Sequence, residues 1–262
     1  MNVNSLGFIQ DKPYNLTEQQ KRAYQSKGWA LLPALFTKEE TAMLCAWVDE
    51  IIGRPEEKGG VMLYRETSLH SPEEKVVQRI EDFSHRHDGF RHLLATERLS
   101  RLTSWALGGE SCLFKDKINF KMPGGAGFEL HQDQQAGWSV YAPLFVSLMI
   151  SLDPATPDNG CLEMADMPKL SSLLAPEWEP VKEDARYNLI PLTTHPGDAV
   201  MFDSYALHAS KANMTESSRR IIYLTYNLRE QGDNRIQYFA DKRASFPPDI
   251  ERLSGKEYVF KV

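Results

Sequence analysis

Cysteine is scarce in this chain of 262 residues: there are three, Cys45, Cys112 and Cys161, far apart and with no Cys-x-x-Cys. That spacing argues against a disulfide framework and against a thiolate zinc site, and a reducing compartment is the default. Long apolar runs are missing too. No window approaches the about 20 apolar residues of a membrane span, and Met1 to Asp11 carries no basic-then-apolar leader pattern. The expectation is a soluble, cytoplasmic protein without a membrane partner. Basic charge is not in excess: 30 Lys and Arg against 36 Asp and Glu give a net charge of −6. A nucleic-acid partner normally needs a basic face, so none is expected, although a local basic pocket can sit inside an acidic protein. Linkers rich in Pro, Gly or Ser are absent, as are internal repeats. No sequence feature points to an oligomeric state. With 42% hydrophobic and 25% charged residues, the chain has ordinary globular proportions and can bury a sizeable core.

The first part of the chain reads as helical. Thr17 with Gln20, and Thr37 with Glu40, have capping-box spacing. The first of these helices should stop at Gly28 and the second at Gly53, with Trp29 to Leu32 a short strand between them. Residues 54–70 contain Pro55, Gly59 and Gly60 and read as a loop. Ser71-Pro72-Glu73-Glu74 reads as a helix start. Phe90, Leu93, Leu94, Leu99, Leu102 and Trp105 suggest one long buried helix ending at Gly108-Gly109.

After Ser111 strands replace helices, over 112–121, 128–133, 144–152, 161–164, 188–192, 198–203 and 219–228. Turn residues separate them, notably Pro123-Gly124-Gly125, Pro157-Asp158-Asn159-Gly160 and Pro196-Gly197-Asp198. Helices first and strands later is an α+β order, and this many short strands suggests a jelly roll with the N-terminal helices packed on it. One domain over residues 1–262 is expected: helical to about 110, a β core over about 111–230, and an irregular tail over 231–262.

His131-Gln132-Asp133 is the only His-x-Asp or His-x-Glu among seven histidines. Residues two apart on a strand share a face, so both side chains can meet one metal. With His208, after the strand at 198–203, they form a 2-His-1-carboxylate set. That set suits non-haem Fe(II) and leaves positions open for a cosubstrate and O2. The dyad alone carries little weight, because a hydrogen-bonded histidine on a strand looks the same. Ser210 and Arg219 add to it: a guanidinium fork and a hydroxyl near the iron can hold the far carboxylate of a chelating 2-oxo acid. Arg220 is adjacent, and strand alternation lets only one of the two arginines point inward.

Taken together, His131-Gln132-Asp133, Asn159-Gly160-Cys161-Leu162, Pro196-Gly197-Asp198 and His208-Ala209-Ser210 with Arg219 resemble the phytanoyl-CoA dioxygenase family of Fe(II)/2-oxoglutarate oxygenases. The opening around Gly28-Trp29 and Pro33-Ala34-Leu35-Phe36 is similar as well, and the resemblance spans about Leu16 to Asn227. It implies a double-stranded β-helix, iron on His131, Asp133 and His208, and 2-oxoglutarate held by Arg219 and Ser210. It also implies Gln132 near the cosubstrate, Met149 lining its pocket, and Asn119 or Lys117 on the inner carboxylate. Related halogenases have a small residue where Asp133 stands, so the carboxylate argues for hydroxylation or desaturation. The implied reaction consumes O2 and 2-oxoglutarate, releases succinate and CO2, and hydroxylates a small molecule.

Lys115, Lys117, Asn119 and Lys121 fall on one face of the strand leading to His131. They read equally as a solvated edge strand or as an anion-binding wall, to which Arg229, Arg235, Lys242 and Arg243 could add. The second reading favours an anionic or zwitterionic substrate, and the family's bacterial branch acting on organophosphonates such as 2-aminoethylphosphonate is one candidate. Trp138 and Tyr141 follow the dyad where a loop should cover the site. His85 and His87 read as a surface segment, and His70, His92 and His195 stand outside any ligand spacing. Two other readings compete: a cupin-like isomerase or hydrolase that does not use 2-oxoglutarate and so needs neither Arg219 nor Ser210, and a non-catalytic module that has kept the fold.

Overall fold

The computed structural model describes residues 9–182 and 184–258. The beginning of the N-terminal stretch, Glu183 and the last four residues of the tail lie outside the described residues. The elements run α1 (Glu18–Lys27), β1 (Trp29–Leu32), α2 (Lys38–Ile52), β2 (Met62–Thr67), β3 (Lys75–Glu81), α3 (Asp88–Leu94) and α4 (Glu97–Leu107). Then follow β4 (Ser111–Lys121), β5 (Phe128–His131), β6 (Val146–Ser151), β7 (Leu162–Ala165), β8 (Leu189–Pro191), β9 (Ala199–Asp203), β10 (His208–Ser210), β11 (Arg219–Leu228) and α5 (Arg235–Ser245).

Both capping boxes form. The Thr17 backbone N–H donates to Gln20 at 2.8 Å and the Thr37 N–H to Glu40 at 2.9 Å. Gly28 ends α1 in the left-handed region at φ 79°. A side chain there would also strike the Asp203 carboxylate, 2.9 Å from the position of a Cβ, so Gly28 answers both a dihedral and a packing demand.

The strands form two antiparallel sheets, β1-β9-β6-β11-β4-β3-β2 and β5-β10-β7-β8. These are the two layers of a jelly roll. The central strands of the larger sheet are buried on both faces, and alternation decides what each face meets. Ile118, Leu148, Ile150, Met201, Ile222 and Leu224 join the helices' Leu44, Trp47, Phe90, Leu99 and Leu102 in the main core. Their neighbours Met149, Val200, Phe202 and Ile221 pack with Leu162 and Met164 of the smaller sheet. On β4 and β11 the inward face also carries polar residues, and these build the site. The helices therefore stabilise one side of the large sheet and leave the other to function.

Four expectations need correction. Residues 62–67 form β2 where a loop was expected, because Met62, Leu63 and Tyr64 are buried. The helix start at Ser71 fails: Val76, Val77 and Ile80 are β-branched, and Lys75–Glu81 pairs with both β2 and β4. The long helix is two helices. Thr96 is extended, its hydroxyl donates back to the Leu93 carbonyl at 2.7 Å, and the Asp11 carboxylate accepts from Glu97 N and Arg98 N to start α4. The tail contains the regular helix α5.

α5 is fastened by charge. Asp116 of β4 is fully buried and accepts from Phe83 N at 2.8 Å and Ser84 N at 2.9 Å. It also accepts from the Arg235 guanidinium, which reaches Asp82 at 2.9 Å as well. Asp116→Ala would leave two backbone donors without an acceptor and Arg235 with Asp82 as its one carboxylate partner among the described residues. The expected cost is about 3–5 kcal/mol of unfolding free energy, measured by urea denaturation, with α5 detaching first in hydrogen exchange.

Candidate active site

β5 and β10 are hydrogen-bonded neighbours, and their register places His131 opposite His208. Cross-strand partners stand side by side on one face, and the two imidazole rings lie 4.2 Å apart between centroids. β5 ends at His131, short of the expected 133. Asp133 instead opens a 3-10 turn over Asp133–Ala136, which brings its carboxylate back to 3.9 Å from His131 Nε2. One ligand atom from each of His131, Asp133 and His208 lies within 4.8 Å of the others.

The second ring nitrogens are already committed. His131 Nδ1 is 2.6 Å from the Glu129 carbonyl and His208 Nδ1 is 2.9 Å from the Ala206 carbonyl. A carbonyl oxygen can only accept, so each Nδ1 carries the proton and each Nε2 presents a lone pair. Burial, reinforced by His208, drives the His131 pKa down to about 3. Burial pushes Asp133 up, but His208, Lys117 and His131 outweigh it and hold the carboxyl below its usual value. Two orientated imidazoles and one ionised carboxylate fit a divalent iron.

Arg219 opens β11 and points inward, 3% exposed. Arg220 points out and pairs with Asp153 at 2.9 Å and Asp49 at 2.7 Å. The Arg219 guanidinium donates to the carbonyls of Asn159 and Gly160, which explains why that turn sits where it does. Its Nη1 is buried and has no acceptor among the described residues. An orphaned cationic donor in a protein interior is costly unless an anion completes it. A cavity of about 20 Å³ adjoins it, lined among others by Asn119, Lys121, Ser210, Arg219 and Tyr223. Lys121 donates to Ser210 Oγ at 2.9 Å and to the Gly160 carbonyl at 3.2 Å. Asn119 Oδ1 is also buried without a partner.

A larger cavity, about 710 Å³, lies beside the triad and shares Phe128 with the small one. His131, Asp133, Lys115, Lys117, Trp138 and Tyr238 are in its wall. The Lys115 ammonium lies 5.2 Å from the centroid of the Trp138 ring, and that of Lys117 4.6 Å from the Tyr223 ring. Among the described residues neither has a hydrogen-bond acceptor. Burial and the neighbouring Lys115 pull Lys117 down to about 8. β4 lies inside the sheet between β11 and β3, so the edge-strand reading of its lysines is wrong and the inward one is right. Of the alternatives for an inner carboxylate, Lys117 shares the large cavity with His131 and Asp133, and Asn119 shares the small one with Arg219.

Two expected residues do not reach either cavity's wall. Gln132 is fully buried but turned away, donating to the Ser172 and Tyr205 carbonyls and accepting from Leu174 N. It fastens the loop behind the triad. Met149 packs among Leu162, Met164 and Ile221, one strand over from Tyr223. His87 is buried, caps α3 through Phe90 N and stacks near Trp47, so it is no surface residue. His85 is exposed as expected. Tyr223 and the α5 residue Tyr238 went unread as wall residues; of the C-terminal cations expected to add to the wall, Lys242 lines the large cavity and Arg229, Arg235 and Arg243 do not. Alternation from Arg219 through Ile221 points to Tyr223, whereas nothing local marks Tyr238.

A family model described as "Phytanoyl-CoA dioxygenase (PhyH)" matches residues 24–221. A 2-aminoethylphosphonate dioxygenase from an uncultured bacterium (HF130_AEPn_1) is 38% identical over 92% of this chain and 93% of its own length. A methylphosphonate hydroxylase from Gimesia maris is 34% identical, covering 92% of each chain. The crystal structure of EctD from S. alaskensis with bound Fe superposes with a TM-score of 0.67 at 21% identity, over 82% of this chain and 78% of that one. Among the described residues no helix is long and apolar enough to cross a membrane.

Proposed function

The chain belongs to the phytanoyl-CoA dioxygenase family, and we propose that it hydroxylates a small organophosphonate such as 2-aminoethylphosphonate. It is an Fe(II)- and 2-oxoglutarate-dependent dioxygenase acting on a small molecule. When bound, Fe(II) with 2-oxoglutarate and O2 supplies the oxidising equivalent that turns a substrate C–H into C–OH, with succinate and CO2 as co-products. In this reading residues 1–262 act as one catalytic domain. His131, Asp133 and His208 hold the iron. Arg219 and Ser210 receive the distal carboxylate of 2-oxoglutarate, with Lys121 supporting them.

One observation carries the substrate class: two ammonium groups without acceptors, Lys115 and Lys117, line the cavity whose wall also includes His131 and Asp133. A phosphonate dianion offers oxygens to both; Trp138 and Tyr238 flank Lys115, and Phe128 and Tyr223 flank Lys117. The relatives' names support the same class. The orphaned Nη1 of Arg219 favours 2-oxoglutarate use over the cupin-like alternative, which has no need of it. The cysteines form no disulfide, which supports a reducing cytoplasm. The test is succinate release with a panel of phosphonates and the matching carboxylates and sulfonates. Phosphonate-dependent release is expected, and release with carboxylates or sulfonates alone would overturn the substrate class.

Lys121 gives the cosubstrate site a pH dependence. Burial, then repulsion from Arg219, lowers its pKa from 10.5 to about 7. Between those values the unfolded chain binds the extra proton, so this group alone makes the fold more stable as pH rises. Cosubstrate binding runs the other way, because a dianion favours the charged ammonium. The affinity for 2-oxoglutarate, measured by anaerobic calorimetry, is expected to weaken as pH rises through about 7, with proton uptake on binding. Lys121→Met should abolish that slope.

A further inference from the structure

The large cavity carries charge of both signs. Its cations on β4 are described above, and α5 contributes Asp241 to the same wall. The Asp241 carboxylate accepts from the Tyr141 hydroxyl at 2.6 Å and from Gln237 Nε2 at 2.7 Å. Both donors are neutral. The cations nearby on α5 are committed elsewhere: Lys242 to both oxygens of Glu81, Arg243 to Glu251, and Arg235 to Asp82 and Asp116. Among the described residues Asp241 has no cationic partner, and a carboxylate has about four lone-pair sites, of which two are used. Asp241 is exposed at the edge of the wall, which there carries Tyr141 and Tyr238, 5.8 Å apart between centroids, and Trp178, along with Glu177, Glu257 and a Lys256 ammonium that lies over the Tyr258 ring. An ionised carboxylate among aromatic faces is a favourable setting for an organic ammonium group.

We propose that Asp241 is a specificity-determining residue that receives the amino group of a zwitterionic substrate while Lys115 and Lys117 hold its anionic end. The inference rests on the organophosphonate reading and narrows it to aminoalkylphosphonates. α5 lies beyond the residues 24–221 that match the family model. Choice of substrate is thereby placed on an element beyond the family model's match, held to the core by Arg235 and Asp116.

Binding is measured by calorimetry without oxygen on protein loaded with Fe(II) and 2-oxoglutarate, using 2-aminoethylphosphonate and ethylphosphonate, which lacks only the amine. The wild type is expected to prefer the amine, and Asp241→Asn to lose roughly 10-fold to 100-fold in affinity for it alone, the range for a hydrogen bond to a charged group. Asp241→Ala should behave alike, and ethylphosphonate should bind wild type and variants equally. Equal wild-type affinity for the two ligands, or an undiminished preference in both variants, would overturn the proposal. If the wild type binds neither ligand, the organophosphonate reading itself fails and takes this inference with it.

Discussion

Arg219→Ala is expected to raise the dissociation constant for 2-oxoglutarate by at least about 30-fold while leaving iron binding intact. The guanidinium is buried, its Nη1 has no acceptor among the described residues, and its remaining donors are held by the Asn159 and Gly160 carbonyls. The head group is thus fixed before any anion arrives, so little ordering has to be paid on binding. Truncating one partner of a buried, hydrogen-bonded charge pair costs about 2–5 kcal/mol, and 1.36 kcal/mol is tenfold. Arg219→Lys should recover only part of the loss, since a point charge cannot reproduce the planar fork. Titration with 2-oxoglutarate under anaerobic conditions reads both variants. Unchanged affinity in Arg219→Ala would mean that the small cavity is not the cosubstrate site.

His131→Ala and His208→Ala are expected to lose iron and turnover together. Loss of an outer-shell partner already costs about 10–100-fold in metal affinity or activity, and a missing ligand exceeds that. The two variants should behave alike, because their rings are cross-strand partners presenting equivalent Nε2 lone pairs. Neither should unfold the protein. The β5–β10 pairing that carries these residues is made by the backbone. Metal content of purified protein reloaded with Fe(II), read beside succinate release, checks this. Full activity in either variant would remove that histidine from the centre.

The structure brings His131, Asp133 and His208 together and turns Arg219 inward: the dyad could be read from its spacing, whereas the choice of Arg219 over Arg220 rested on the family resemblance, because alternation says only that one of the two points inward. Eight strands, β1 among them, could be placed from short strand-like runs and the turn residues between them, with β11 matching its expected limits of 219 and 228. Where reading failed, the deciding contact was distant. The hairpin of β2 and β3 follows a Pro-Gly loop and a good helix-start signal, and only pairing with β4 overrides it. The break before α4 depends on a carboxylate from Asp11. α5 has a polar composition, and its docking rests on buried ion pairs with Asp116 and Glu81. Gln132 illustrates the converse. The family resemblance implied a place near the cosubstrate, yet the backbone groups of Ser172, Leu174 and Tyr205 claim its whole side-chain amide.

In the proposed reading one site joins an iron held by His131, Asp133 and His208 to a 2-oxo acid held by Arg219. Anaerobic addition of Fe(II) and then 2-oxoglutarate to metal-free protein tests it most directly, through the visible iron-to-keto-acid charge-transfer band. A band is expected in the wild type, none in His131→Ala, and in Arg219→Ala a band that requires far more 2-oxoglutarate. Well-folded, iron-loaded wild type with no band at any 2-oxoglutarate concentration would contradict it.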